Sequence, residues 1–439
     1  MKMKYSIAPR AWIALLGFLV VMLPVELKAQ SFEWETGLVT NLGPPLEVII
    51  GYTGPGGNVD IPASVDGYSV AGIGNNALYG NSNITSVTMP NSVTFIDDGA
   101  FSHCSVLTSV TIGNSVTSIG VGAFGYCSVL TSVTIPDSVT NLGDGAFNFC
   151  SGLTDVTIGN SVTSTGNNTF EDCSNLISVT IGNSVTNIGN YAFASCSGLT
   201  SVTVPNSVTR IGNDAFDACS GLRSLVIPNS VTSVGNGACD FCSGLTNVTI
   251  GNGVISIGNT AFADCFSLKG VTIGNSVNGI GSGAFNFCSH LTSVTIPNSV
   301  TNIGTYAFES CGNLHQAYFQ GNAPTVNGGA GSADSTVYSV ESGTNYYLPG
   351  TTGWGSTFGG WPTAQWYQPR PQIIGPRMQG NQFEFIISWA TNTSVVVLAS
   401  TNLLNWTPVI TNALIAGTNA FVDSTWTNYP RRFYRVRSL

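Results

Sequence analysis

The stretch Leu291-Thr-Ser-Val-Thr-Ile-Pro-Asn-Ser-Val-Thr-Asn-Ile-Gly-Thr-Tyr-Ala-Phe-Glu-Ser-Cys-Gly-Asn313 decides the architecture, because the chain repeats it. The same 23 residues, lightly edited, run back to Ile84, and ten full units fill 84–313. A degenerate unit precedes them, and a lone strand, 314–319, follows. A period of about 20–29 residues marks a solenoid, in which one unit is one turn of chain that cannot bury its own apolar face. Neighbouring units complete each other's core, so the array folds cooperatively or not at all.

Within a unit, Leu107-Thr-Ser-Val-Thr-Ile112 alternates. This predicts a strand with Val110 and Ile112 inward and Ser109 and Thr111 outward. Gly113-Asn114 here, and Pro-Asn or Pro-Asp in other units, suits a chain reversal. Val116 and Ile119 return to the core, and Gly120 breaks the run. Asn or Asp often follows (Asp144, Asn190, Asn213), a residue type that caps a helical turn. That turn carries Ala123, Phe124 and Cys127, with Phe and Cys three apart on one face. The expected fold is a mainly β solenoid, with a parallel sheet on one side and short helical turns on the other. Stacking at about 4.8 Å per coil makes a rod roughly 50 Å long. Each large apolar side chain buried contributes roughly 1.5–3 kcal/mol before entropy is subtracted.

The run Leu-x-x-Val-x-Ile-x-Asn resembles the leucine-rich-repeat signature. The fuller unit, continuing through Ile-Gly-x-x-Ala-Phe-x-x-Cys, resembles the BspA-type leucine-rich repeats of secreted and surface proteins, over about 84–319. The resemblance implies a leucine-rich-repeat rod with a non-enzymatic adhesion or recognition role, exercised through the concave sheet face. It carries over no ligand-binding motif. Thr165 in place of the inward Ile, Thr169 in place of Ala and Cys239 in place of the core Phe are expected local weak points.

Outward from the repeats, 30–83 reads as an N-terminal cap with a degenerate first repeat. Residues 1–29 read as a secretory signal: Lys2, Lys4 and Arg10 precede the apolar 11–23, and Leu27-Lys-Ala29 offers a cleavage site. The apolar run is short for a membrane span, which disfavours the alternative of an uncleaved N-terminal anchor. No later stretch approaches about 20 apolar residues, so no membrane insertion is expected once 1–29 is removed. Residues 320–370 read as a C-terminal cap or linker rich in Gly, Ser, Thr and Asn, with Trp354, Trp361 and Trp366. Residues 371–439 hold five β-like runs (383–389, 394–399, 406–410, 420–422 and 432–436), which suggest a small C-terminal β-sandwich. Its end, Tyr429-Pro-Arg-Arg-Phe-Tyr-Arg-Val-Arg437, resembles the terminal module of other large secreted bacterial repeat proteins.

Only 8% of residues are charged, 52 are Gly and 43% are hydrophobic, a composition that fits a turn-rich extracellular β protein. Removing 1–29 leaves 9 basic against 21 acidic residues, a net charge of −12. The repeats hold three basic residues, Arg210, Arg223 and Lys269, too few to neutralise a run of phosphates. Nucleic acid and anionic membrane surfaces are thereby disfavoured as partners.

Ten of the eleven cysteines recur at the repeat period, from Cys104 to Cys311. In an exported chain they suggest disulfides between coils, whose Cα atoms would lie about 5 Å apart. The other reading is a ladder of buried thiols, favoured because stacked side chains point the same way rather than at one another. No zinc site is read: Cys239 and Cys242 lack a second Cys or His pair, and Cys239 fits a Phe-to-Cys change. His103, His290 and His315 fit isolated surface substitutions, and neither H-E-x-x-H nor G-x-S-x-G occurs, so no catalysis is expected. Asp97-Asp98 and Glu171-Asp172 admit calcium but, without further oxygen ligands at regular spacing, fit solvated loops better, and the Gly-rich 350–360 lacks the Lys and helix of a phosphate loop. No metal or cofactor is expected.

The outward hydroxyls carry the functional expectation. Ser109/Thr111, Ser132/Thr134, Ser178/Thr180, Ser201/Thr203 and Ser293/Thr295 form parallel, nearly uncharged rows suited to a protein backbone or a sugar. Strand propensity alone also explains Thr here. Ser-Val-Thr further resembles the Thr-x-Thr rows of ice-binding solenoids, although a curved sheet matches a flat lattice poorly. Trp354, Trp361 and Trp366 offer faces for sugar stacking or cap packing. The expected function is a secreted or cell-surface protein that recognises an extracellular protein or glycan. The alternatives are a structural spacer anchored by its C-terminal module, or a scaffold in a polysaccharide-degrading system.

Overall fold

The computed structural model describes residues 3–4, 31–36, 46–326, 337–338, 343–366, 371–389, 393–414 and 418–438. Most of the expected signal segment therefore lies outside the described residues. Met3–Lys4 pairs antiparallel with Phe32–Thr36, which pairs in turn with Glu47–Tyr52.

The repeats form a solenoid with two parallel β-walls rather than one. The first wall holds the expected strands, such as Ser132–Thr134, Asp155–Thr157 and Ser178–Thr180, paired in register 23 residues apart. Val133 and Ile135 are buried there, while Ser132 and Thr134 are exposed. The second wall is built from two-residue strands, among them Phe95–Ile96, Ser118–Ile119 and Asn141–Leu142. It resumes at Asn187–Ile188 and runs to Thr325–Val326. The interruption falls on the coil of Thr165 and Thr169, where one isolated bridge, Ser164 to Asn187, survives. Both threonines are buried, and both are hydrogen-bonded: Thr165 Oγ1 accepts the Gly189 amide, and the Thr169 hydroxyl donates to the Thr165 carbonyl. Two hydroxyls thus replace methyl packing, and the local strand is lost.

The expected helical turns do not form. Among the described residues the only helical segment is the 3-10 turn Trp426–Asn428, outside the repeats. The third wall is a chain of tight turns, because two residues in each coil take positive φ, as Gly99 (61°) and His103 (61°) do, followed by Gly122 (59°) and Tyr126 (61°). A left-handed residue cannot continue a right-handed helix. Alternate amides point instead along the rod: Phe101 N donates to Ala123 O at 2.7 Å and His103 N to Gly125 O at 2.8 Å. Asn and Asp after the recurrent glycine cap no helix either. Their side-chain oxygens accept the amide one coil onward, as Asn190 Oδ1 does from Asn213 N at 2.8 Å.

Inside, Phe101, Phe124, Phe147, Phe170, Phe193 and Phe216 stack face to face, with centroids 5.0–5.6 Å apart. Cys239 interrupts the ladder, which resumes from Phe262 through Phe285 to Phe308. All eleven cysteines are buried free thiols. Those of the periodic series donate to a carbonyl of the preceding coil, as Cys127 Sγ does to Phe101 O at 3.2 Å. Burial pushes the Cys104 thiol up to about 12 and raises Cys196 as well, which keeps them protonated and chemically quiet.

Phe32 and Trp34 are buried at the N-terminal end. At the other end Tyr338 stacks on Phe308, and Trp361 stacks on Tyr338 at 3.8 Å. The C-terminal segment has six strands, one more than expected, because Gln372–Gln379 joins Gln382–Ser388 and Thr418–Asp423. Thr393–Ser400 lies between Thr407–Leu414 and Phe433–Ser438 in a second antiparallel sheet. The two sheets share a small core of Phe385, Ile387, Val395, Val397, Leu414 and Phe421, distinct from that of the solenoid.

Candidate functional site

Hydroxyls recur in several rows along the solenoid, and the four that flank or line its two β-walls fall into two kinds. Two rows are engaged by the stack itself. Thr108, Thr131 and Thr154 each donate to the carbonyl of the equivalent residue one coil earlier, at 2.9–3.2 Å. Thr117, Thr140, Thr186, Thr209 and Thr232 follow the same rule on the second wall. These threonines hold coil to coil.

The other two rows are the outward ones read from the sequence. Ser109, Thr111, Ser132, Thr134, Ser178, Thr180, Ser201, Thr203, Ser293 and Thr295 are all exposed. The register places Ser132, Asp155 and Ser178 in one line and Thr134, Thr157 and Thr180 in the next. Ser201 and Thr203 sit in a coil whose 200–204 stretch is not a regular strand, so the wall is interrupted there. Ser178 donates to Asp155 at 2.6 Å. That bond, with a second from Thr154, holds the Asp155 carboxyl below its ordinary range. Among the described residues, the hydroxyls of the other nine make no hydrogen bond to protein. They face solvent with donor and acceptor capacity uncommitted.

The rows change character at the C-terminal end of the wall. Gln316 and Tyr318 stand beside Ser293 and Thr295, and Tyr346 stands beside Tyr318. Tyr318 stacks on Tyr346 at 5.2 Å and meets Trp366 at 4.7 Å, and all three are partly exposed. The Tyr318 hydroxyl donates to Gln316 Oε1 at 2.8 Å. This aromatic end escaped the sequence reading, although counting 23 residues on from Thr295 reaches Tyr318. Of the three tryptophans, Trp366 alone belongs to this face. Trp361 is 2% exposed in the cap, and Trp354 stacks on Tyr347 at 5.1 Å while donating to Thr351 Oγ1. Both are cap residues, removed from sugar stacking by burial and by packing respectively.

The turn wall carries the remaining polar residues. His103 stacks on Tyr126 at 4.4 Å, and His290 Nδ1 lies 2.5 Å from the Phe266 carbonyl oxygen. His315 is exposed. Asp98 accepts the Val121 amide, and Glu171 accepts from Asn168. Among the described residues no three His, Cys, Asp or Glu side chains are grouped to hold a metal ion, and no helix is long and apolar enough to cross a membrane.

Asp214, Asp217, Asp240 and Asp264 lie on three successive coils of this wall. Partial burial and then the neighbouring carboxylates push Asp240 up to about 6, and Asp217 and Asp264 are also raised. A carboxyl raised in the folded state stabilises below its unfolded value, and that contribution is lost as pH rises through about 6. Asp240→Asn is therefore expected to melt higher than the parent at pH near 7.5, with the gap closing near pH 4. Thermal melts across that range check it; a gap that widens toward acid contradicts it. The substitution keeps the oxygen that accepts the Phe241 amide.

Three comparisons bear on kinship. The family model of the BspA type leucine rich repeat region matches residues 71–200 and 209–331, in six copies. Among solved structures, a leucine-rich repeat protein from Bacteroides ovatus is 26% identical with a TM-score of 0.45, covering 67% of this chain and 88% of its own. A leucine rich cell surface protein from Faecalibacterium prausnitzii is 30% identical with a TM-score of 0.38, covering 66% and 93%. The pneumococcal vaccine antigen PcpA is 17% identical with a TM-score of 0.43, covering 73% and 92%. No curated protein matches the chain.

Proposed function

Since the chain belongs to the BspA-type leucine-rich-repeat family, we propose that it is a non-enzymatic recognition protein of the cell exterior, exported by its N-terminal segment. Its ligand is an extracellular protein or glycan met on the first wall. The observation that carries this reading is the division of labour among hydroxyls. Thr108 and Thr117 donate to the preceding coil, whereas Ser109 and Thr111 beside them face water uncommitted. Regularly spaced hydroxyls with little charge match the alternating donors and acceptors of a sugar chain or an extended backbone. The Tyr318, Tyr346 and Trp366 cluster adds amphipathic ring surface at one end of the same rows.

An array of glycans and extracellular matrix proteins probed with the full chain tests the reading. Binding should disappear when Thr111, Thr134, Thr157 and Thr180 become Glu, and weaken with Trp366→Ala. Binding untouched by both sets refutes recognition through this wall. The spacer reading draws on the separate core of the C-terminal segment. It predicts that array binding, where present, resides in 371–439 and ignores the wall substitutions. The same outcome, with polysaccharide as the bound class, is what a scaffold of a degradative system would give.

A further inference from the structure

The turn segments carry charge of one sign only. Across the ten coils no Lys or Arg falls in the turn segments, whereas Asp and Glu recur there. Of the three repeat cations, Arg210 lies in the second β-wall and Arg223 and Lys269 directly precede strands of the first, with the Arg223 guanidinium reaching Gly244. The carboxylates concentrate at Asp214, Asp217, Asp240 and Asp264, beside the exposed rings of Phe241 and Phe266, which are 52% and 42% accessible.

The opposite sign is collected at the other end of the same chain. Residues 371–439 hold five arginines and two acids. Both acids are paired within the segment, Glu384 to Arg377 and Asp423 to Arg432. Arg431, Arg435 and Arg437 stay exposed, the last two on the edge strand Phe433–Ser438. Arg435 lies over Trp406 at 4.4 Å, which fixes its guanidinium without neutralising it. Guanidinium groups bind carboxylates in a two-pronged manner and stack on aromatic rings, so an acidic face flanked by Phe is a fitting counterpart.

We propose that the turn wall around Asp217 and Asp240 docks the arginine-bearing edge strand of a second copy of this chain. The contact is head-to-tail, so it does not close on itself and gives a series of oligomers rather than one dimer. It leaves the hydroxyl wall uncovered and does not depend on what that wall binds. Attraction between exposed charges is screened by salt, which makes the association strongest in dilute buffer.

Sedimentation velocity of the full chain, over a concentration series, tests this. Raising salt from about 0.01 M to about 1 M shortens the screening length from about 30 Å to about 3 Å, and association is expected to weaken about tenfold or more. Arg431→Glu, Arg435→Glu and Arg437→Glu together should leave monomers, as should Asp214→Arg, Asp217→Arg and Asp240→Arg. The chain carrying both sets should associate again. The milder Asp214→Asn, Asp217→Asn and Asp240→Asn chain, with circular dichroism as the fold check, gives the same loss should the Arg variants misfold. A chain monomeric at low salt overturns the proposal, as does association that survives either reversal or resists salt.

Discussion

Phe193→Ala should remove about 3–5 kcal/mol of stability, a large share of what a typical domain possesses. The ring is fully buried and stacks between Phe170 and Phe216, each at 5.5 Å. Truncation forfeits both stacking contacts and leaves a void that the rigid coils cannot collapse to fill. Phe216→Ala is the internal comparison, since Phe216 has a ring on one side and Cys239 on the other. Its cost should be smaller by about 0.5–1.5 kcal/mol, the worth of one aromatic pair. Urea unfolding followed by circular dichroism measures both. Equal costs would show that stacking adds nothing beyond burial. In a linear array each coil touches only its neighbours, so a defect at 193 should also broaden the transition as the two halves uncouple.

Gly212→Ala should cost about 3 kcal/mol although it adds a single methyl group. A Cβ built there would lie 2.7 Å from both the Asn190 nitrogen and the Gly189 carbonyl carbon, main-chain atoms with nowhere to move. The coils would have to part, stretching the bond from Gly212 N to Ile188 O and that from Asn213 N to Asn190 Oδ1. Gly279→Ala is the control, because nothing lies within 4 Å of its added carbon. A difference in urea midpoint between the two substitutions isolates the close approach. If both behave alike, the spacing between coils is softer than the contacts imply.

The period was legible because every inward residue repeats it. Val133, Ile135, Phe124 and Cys127 are buried where alternation and spacing put them. The turn wall was misread for a specific reason. Phe124 and Cys127, three apart, satisfy a helix face and a succession of tight turns equally well. What separates the two is the pair of left-handed residues in each coil. Glycine announces one of them at Gly99, Gly122 and Gly145, but the other is held by Tyr126, Phe149 and Ala218, which give no such signal. The second β-wall was hidden by brevity, since Ser118–Ile119 is too short to alternate. On the candidate face, the exposure of the hydroxyl rows followed from alternation. Their contrast with the engaged threonines did not, because Thr108 and Thr111 have the same residue type one coil behind them and differ in whether the hydroxyl reaches a carbonyl there.

The phenylalanine spacing, even to within 5.0–5.6 Å, makes the rod a ruler. Each ladder joins equivalent atoms of adjacent coils, so excising or duplicating one whole unit restores every bond with the same chemical partners. Losing a single residue would instead throw the altered coil out of step with both of its neighbours. Lineages that copy or drop units can therefore lengthen or shorten the reach between the two ends in graduations of about 5 Å, with neither tip redesigned.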